Sequence, residues 1–205
     1  MIGTLVALAL ALAGAPDDPS PVGDYDGSRR EMVARLSLGE DGRFRYAVSL
    51  GGLDEEADGA WRIADGRVLL TSDPVTRPAI DLVEQAPGPR GRLRVVLDMP
   101  QGGDPQFFDV RLDGNRPAMV QMGTEGRDIE LSARQPVRVT MTLGLYGLES
   151  AVVSVDPAVG AQLRYRFTPN DIDKIELRDA ELKRDGDDYV LDRLGQPLRF
   201  RRAGK

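Results

Sequence analysis

The chain has 205 residues, a net charge of −6, 41% hydrophobic residues and only 5% aromatic residues. That composition is globular rather than disordered, long enough for one large domain or two small ones, and too acidic for a general nucleic-acid binder. His and Cys are both absent, which removes the usual general base near neutral pH, the commonest metal ligand, thiol nucleophiles, thiolate zinc sites and disulfides.

Residues 1–15 read as an export signal. Leu5, Val6, Leu8, Leu10 and Leu12 stand among small Ala residues, and no Lys or Arg precedes the run. The apolar stretch is too short to span a membrane, and Ala13 and Ala15 are the two expected cleavage points. Pro16-Asp17-Asp18-Pro19-Ser20-Pro21 follows, so residues 16–22 are expected to be a disordered linker. No transmembrane segment is expected in the mature chain, which places it in the periplasm or outside the cell.

Beyond Val22 the hydrophobic pattern has a period of two. Phe44, Tyr46, Val48 and Leu50 alternate with Arg43, Arg45, Ala47 and Ser49. Val137, Val139, Met141, Leu143 and Leu145 alternate with polar or small residues, as do Leu163, Tyr165 and Phe167. Such alternation marks strands with one wet and one buried face. Asp41-Gly42, Asp65-Gly66, Asp113-Gly114-Asn115 and Asp185-Gly186 are hairpin-turn signals, since Asp-Gly supplies the positive φ that tight turns need. No helical run of ten residues interrupts them.

Pro and Gly in Ala86-Pro87-Gly88-Pro89-Arg90-Gly91 predict a boundary. The expected fold is therefore all-β: a small antiparallel barrel over residues 23–86, followed by an antiparallel β-sandwich over residues 92–202.

Within residues 23–72 the spacing Gly23-Asp24-Tyr25, Leu36-Ser37-Leu38, Asp41-Gly42-Arg43-Phe44, Gly59-Ala60-Trp61 and Gly66-Arg67-Val68-Leu69-Leu70 resembles small lipocalin-like barrels of bacterial envelope proteins. The N-terminal domain of the copper-homeostasis outer-membrane lipoprotein family is one such barrel. That family carries a C-x-x-C near its first strand and a lipidated Cys at its mature start, and this chain has neither. The resemblance thus implies a fold and transfers neither the metal site nor the anchor.

Candidate sites are few. Asp54-Glu55-Glu56-Ala57-Asp58 is the densest carboxylate cluster; it is read as a solvated hairpin connection between the Tyr46 and Trp61 strands, since its spacing matches no Ca²⁺ loop. Asp185-Gly186-Asp187-Asp188 reads as a plain turn, and Asp24-Tyr25-Asp26-Gly27 fails as an EF-hand loop. The pairs Arg43/Arg45, Arg92/Arg94, Arg164/Arg166 and Arg199/Arg201 would form a basic patch if aligned, but interleaving with acids across strands is the simpler expectation. Trp61, Tyr25, Phe44 and Tyr46 would line a calyx or fill a core, and a small barrel favours the filled core. Thr168-Pro169-Asn170-Asp171-Ile172-Asp173 reads as a turn with no assigned chemistry.

No catalytic residue, cofactor or metal is expected. The composition and pattern point to a non-catalytic binding or interaction module of the bacterial cell envelope, with a protein or small-molecule partner. A carrier of a small apolar ligand and a carboxylate-dependent glycan hydrolase are the alternatives.

Overall fold

The computed structural model describes residues 20–114, 117–132 and 134–204. The expected export segment, residues 16–19 and Asn115 of the expected Asp113-Gly114-Asn115 turn lie outside the described residues.

The chain is all-β. Its first five strands are β1 (Gly23–Asp26), β2 (Met32–Leu38), β3 (Arg43–Leu50), β4 (Leu53–Ala64) and β5 (Arg67–Ser72). A middle group follows: β6 (Ala79–Ala86), β7 (Arg92–Asp98), β8 (Asp109–Asp113), β9 (Ala118–Gln121), β10 (Arg127–Glu130), β11 (Val137–Leu143), β12 (Leu148–Glu149), β13 (Val153–Val155) and β14 (Ala161–Thr168). The chain ends with β15 (Ala180–Asp185), β16 (Asp188–Arg193) and β17 (Gln196–Arg202). Among the described residues, the helical elements are two short 3-10 turns, at Pro105–Phe107 and Gly144–Tyr146.

Eight strands close into an antiparallel barrel in the order β1-β17-β16-β15-β5-β4-β3-β2. Closure joins the two ends of the sequence, with Tyr25 opposite Arg202 and Leu70 opposite Ala180. A closed barrel leaves no free edge. Its strands alternate as the sequence does: Phe44, Tyr46 and Val48 of β3 point inward and are buried, while Arg43, Arg45 and Ala47 are exposed.

The longest strand, β4, pairs with β3 through Ala60 and with β5 from Gly59 onward. It changes neighbours at Gly59, where a Cβ would lie 2.1 Å from the Thr71 carbonyl oxygen and 2.7 Å from the Phe44 ring. Only glycine fits this close approach, and the Phe44 ring covers it.

The middle strands form a second unit of two facing sheets. One has the order β10-β7-β14-β6; the other runs β12-β11-β8-β9, with β13 added on β11. All pairings are antiparallel except that of β7 with β14. Leu93, Val95, Val110, Val139, Met141 and Tyr165 fill the space between the sheets. This sandwich starts and finishes side by side, since Ala79 of β6 faces Thr168 of β14.

Four expectations change. First, the barrel does not end at residue 86: β15 to β17, expected in the sandwich, complete the barrel, and β6, expected in the barrel, belongs to the sandwich. The sandwich is an insertion between β5 and β15. Strand closure over a hundred residues leaves no local trace in sequence. Second, the Pro-Gly segment at 86–91 is a turn inside the sandwich; Arg92 N–H donates to the Pro89 carbonyl and Gly91 N–H to that of Pro157. Third, Ser20–Val22 is ordered rather than a disordered linker. Pro21 is buried, the Tyr25 hydroxyl donates to the Pro21 carbonyl at 2.6 Å, and Arg202 donates to the Ser20 and Val22 carbonyls. Fourth, the acidic run 54–58 is not a loop but the first half of β4; the turn before it is made by Gly51 (φ 62°) and Gly52.

The true junction is formed by the segments at 73–78 and 169–179. Asp171 N–H donates to the Thr76 carbonyl at 3.1 Å, Thr76 N–H returns to the Asp171 carboxylate at 2.9 Å, and the Asn170 amide donates to the Arg77 carbonyl. The Thr168–Asp173 segment, without assigned chemistry in sequence, is this clasp. Tyr146 of the sandwich donates to Asp173 at 2.7 Å, and burial followed by that carboxylate pushes the Tyr146 hydroxyl pKa up to about 12.

Candidate functional site

The barrel interior is packed. Tyr25, Phe44, Tyr46, Tyr189 and Phe200 are all at most 4% exposed, and they meet edge to face, Tyr25 on Tyr189 and Tyr46 on Phe200. Half-buried Trp61 packs against the same cluster and donates its indole N–H to the Gly39 carbonyl at 2.9 Å. The aromatic residues singled out in sequence thus make a filled core.

One polar group enters that core. Alternation along β4 turns Glu55 inward while Asp54 and Glu56 stay outside. Glu55 is 6% exposed. Arg193 of β16 grips it with two hydrogen bonds, Nε to Oε2 and Nη2 to Oε1, both at 2.9 Å, and the Tyr46 hydroxyl donates at 3.4 Å. Burial, then the Glu55 charge, raises the Tyr46 pKa far above its ordinary value. This fork-to-fork pair joins β4 to the C-terminal hairpin, so its geometry assigns it to barrel closure. Sequence reading placed Glu55 in a solvated loop because the run looks uniformly acidic; the period-two pattern Glu55, Ala57, Gly59 was the available signal.

The paired arginines do not assemble into a basic patch. Arg43 bonds Asp73, Arg45 lies 3.8 Å from Asp58, and Arg92 and Arg94 meet Glu130 and Asp128. Arg164 meets Asp98, and Arg199 meets both Asp185 and Asp188. These are surface ion pairs, most of them between neighbouring strands, each a small contribution to stability. Asp185 and Asp188 flank the expected turn, with Gly186 at φ 65°. Among the described residues, no group of three or more acids is gathered where a metal ion would sit.

The sandwich differs from the barrel in having two sides. On one, β6 comes close to β12, and the β6 edge is blunted by Asp81, Glu84 and a bulge that leaves Val83 without a partner on β14. On the other, β9 and β10 are the free edges of opposite sheets. Between them lies a cleft of about 740 Å³. Its walls are Leu112, Ala118, Val120 and Val137 from one sheet, and Ile129 and Leu131 on the side of the other. Register explains these walls: Ala118 and Val120 face Leu112 and Val110 on the inward side of β8. The mouth carries Glu130, Ser132, Arg134 and Gln135. Nothing in the sequence pattern singled out this cleft, because its lining reads as ordinary core alternation whose opposite strand is missing.

A smaller depression of about 430 Å³ lies beside the β5 and β15 hairpins. Two of its cations are already paired, Arg67 with Glu181 of the same depression and Lys183 with Asp192 outside it. The apolar cleft between the sandwich sheets is therefore the stronger candidate.

Among the described residues, no helix is long and apolar enough to cross a membrane. Comparison with known proteins returned no matching family model, no matching curated protein and no matching solved structure.

Proposed function

We propose that the chain is a non-catalytic binding module exported to the periplasm or secreted by a bacterium, with the barrel as scaffold and the open side of the sandwich as its binding face. The observation that carries this reading is the contrast in packing: the barrel is filled with aromatic rings, while an apolar cleft of about 740 Å³ opens between β9 and β10. A cleft of that volume lies within the range of small-molecule sites, and free strand edges are the usual docking points for partner strands. The export pattern of residues 1–15 supports an envelope location, and the closed eight-stranded barrel supports the lipocalin-like resemblance.

A carrier of a small apolar ligand is the second reading, and the same cleft favours it; the site then lies in the sandwich rather than in the barrel. The glycan-hydrolase reading has less behind it, since the acid at the cleft, Glu130, is engaged by Arg92.

Photo-crosslinking residues placed at Met119 on β9 and Arg127 on β10 test the binding face, with Val33 and Arg45 on the barrel as controls. All four positions are exposed. Adducts formed in intact cells from 119 and 127, and not from 33 and 45, are expected. Adducts from the barrel alone, or from no position, would overturn the reading.

A further inference from the structure

We infer that the β9/β10 cleft is a binding site for a single-chain anionic amphiphile, its acyl tail between the sheets and its acid group at Arg134. The inference rests on the binding-face reading above and names its ligand class.

Shape comes first. The cleft lies between the edge strands of opposite sheets. Its walls are aliphatic, from Leu112 and Val120 across to Ile129 and Leu131. Among the described residues no aromatic side chain lines it, so it offers no flat ring for stacking and suits a flexible alkyl chain. About 740 Å³ exceeds what one or two trapped waters need, and an apolar space of that size favours an apolar occupant.

Charge comes second. Among the described residues, two charged side chains line the cleft. Glu130 is already paired, with Arg92 Nη2 at 3.1 Å. Arg134 has no ion-pair partner among the described residues. Most arginines of this chain sit against an acid, so the mouth keeps an uncompensated guanidinium in a protein of net charge −6. Ser132 and Gln135 beside it add two further side-chain donors. Guanidinium forks suit carboxylates and phosphates, and a positive mouth above an apolar floor matches an acid group on an alkyl tail. A fatty-acid carboxylate and a monoacyl phosphate share that chemistry.

The test uses the mature full-length chain and a dansyl-labelled undecanoate, displaced in turn by dodecanoate, dodecyl phosphate and dodecanol. Saturable probe binding is expected, with both acids displacing it about tenfold more tightly than the alcohol, the scale of one charge-assisted hydrogen bond; the stronger acid identifies the head group. Arg134→Gln should weaken the acids about tenfold and leave dodecanol unchanged. Ala118→Trp should abolish binding of all three. Both positions are exposed, so both variants should melt with the parent chain.

Absence of saturable binding would overturn the inference, as would equal affinity for acid and alcohol or an Ala118→Trp variant that binds normally. Self-association that protects β9 and β10 amides from hydrogen exchange would do so too, by making a second copy the occupant. If acyl binding fails while crosslinks still form from positions 119 and 127, the binding face stands and the amphiphile falls. If both fail, both readings fall.

Discussion

The barrel and the sandwich are built from the same alternating strands and reach opposite solutions to the problem of strand edges. The barrel abolishes its edges by recruiting three strands from the far end of the chain. The sandwich keeps its edges, blunts β6 with acids and a bulge, and leaves β9 and β10 facing each other across an apolar gap. Closure gives stability; an unclosed edge leaves a surface that something else can cover. The division of labour between scaffold and binding face follows from that difference.

The strongest way to break the comparison is to open the barrel. A chain ending at Arg178 lacks β15, β16 and β17, and with them the inward-facing Leu182, Tyr189, Leu191, Leu198 and Phe200. Trp61 is the only tryptophan and belongs to the barrel. Its fluorescence should report complete loss of the barrel, while the sandwich keeps its strand signal in circular dichroism. Next comes Phe200→Ala, which empties a fully buried site and should cost about 3–5 kcal/mol in denaturant unfolding followed at Trp61. Arg193→Ala strands Glu55 in the barrel and should cost about 3 kcal/mol.

Alkaline pH separates the units less sharply. Tyr25, Tyr46, Tyr146 and Tyr165 all have pKa values raised, chiefly by burial. A raised folded-state value means the contribution is fully present below the unfolded tyrosine pKa of about 10 and is lost as pH climbs past it. Melting temperature should therefore hold between about pH 7 and 9 and fall above about 10. Asp98, Asp73 and Glu149 are held below the usual carboxylate range, first by hydrogen bonds from Arg164, Arg43 and Arg111. Their contribution is present above the unfolded carboxylate pKa and lost as pH falls below about 4.

The smallest expected effect has opposite signs in the two units. The Tyr25 hydroxyl is bonded to the Pro21 carbonyl, whereas the Tyr165 hydroxyl, buried in the sandwich near Ser150, has no hydrogen-bond partner of normal geometry among the described residues. Tyr25→Phe should destabilise by about 1 kcal/mol, and Tyr165→Phe should stabilise by a similar amount. Equal effects of the same sign would show that the two hydroxyls are equally satisfied.

Much of the strand content was legible in sequence. Alternation placed β3, β11 and β14, and Asp-Gly pairs placed the turns before β3, β5 and β16. What was not legible is non-local. Nothing near Ala180 announces that it lies opposite Leu70, and the Pro-Gly run at 86–91 looks the same whether it divides two domains or two strands of one sheet. Glu55 was hidden for another reason: its neighbours are acidic, and only its inward register and Arg193, 138 residues away, reveal it as a buried partner. Arg134 carries no motif at all. It becomes notable only once the strands around it are seen to leave a gap and most other arginines are seen to sit against an acid.

The most direct test of the separation between scaffold and binding face is to excise the sandwich. Thr76 and Asp171 already hydrogen-bond to each other, so residues 77–170 can be replaced by a short Gly-Ser link. The shortened chain should keep a cooperative melt followed at Trp61 and should lose all binding of the acyl probe. A shortened chain that is unfolded, or one that still binds the probe, would contradict it.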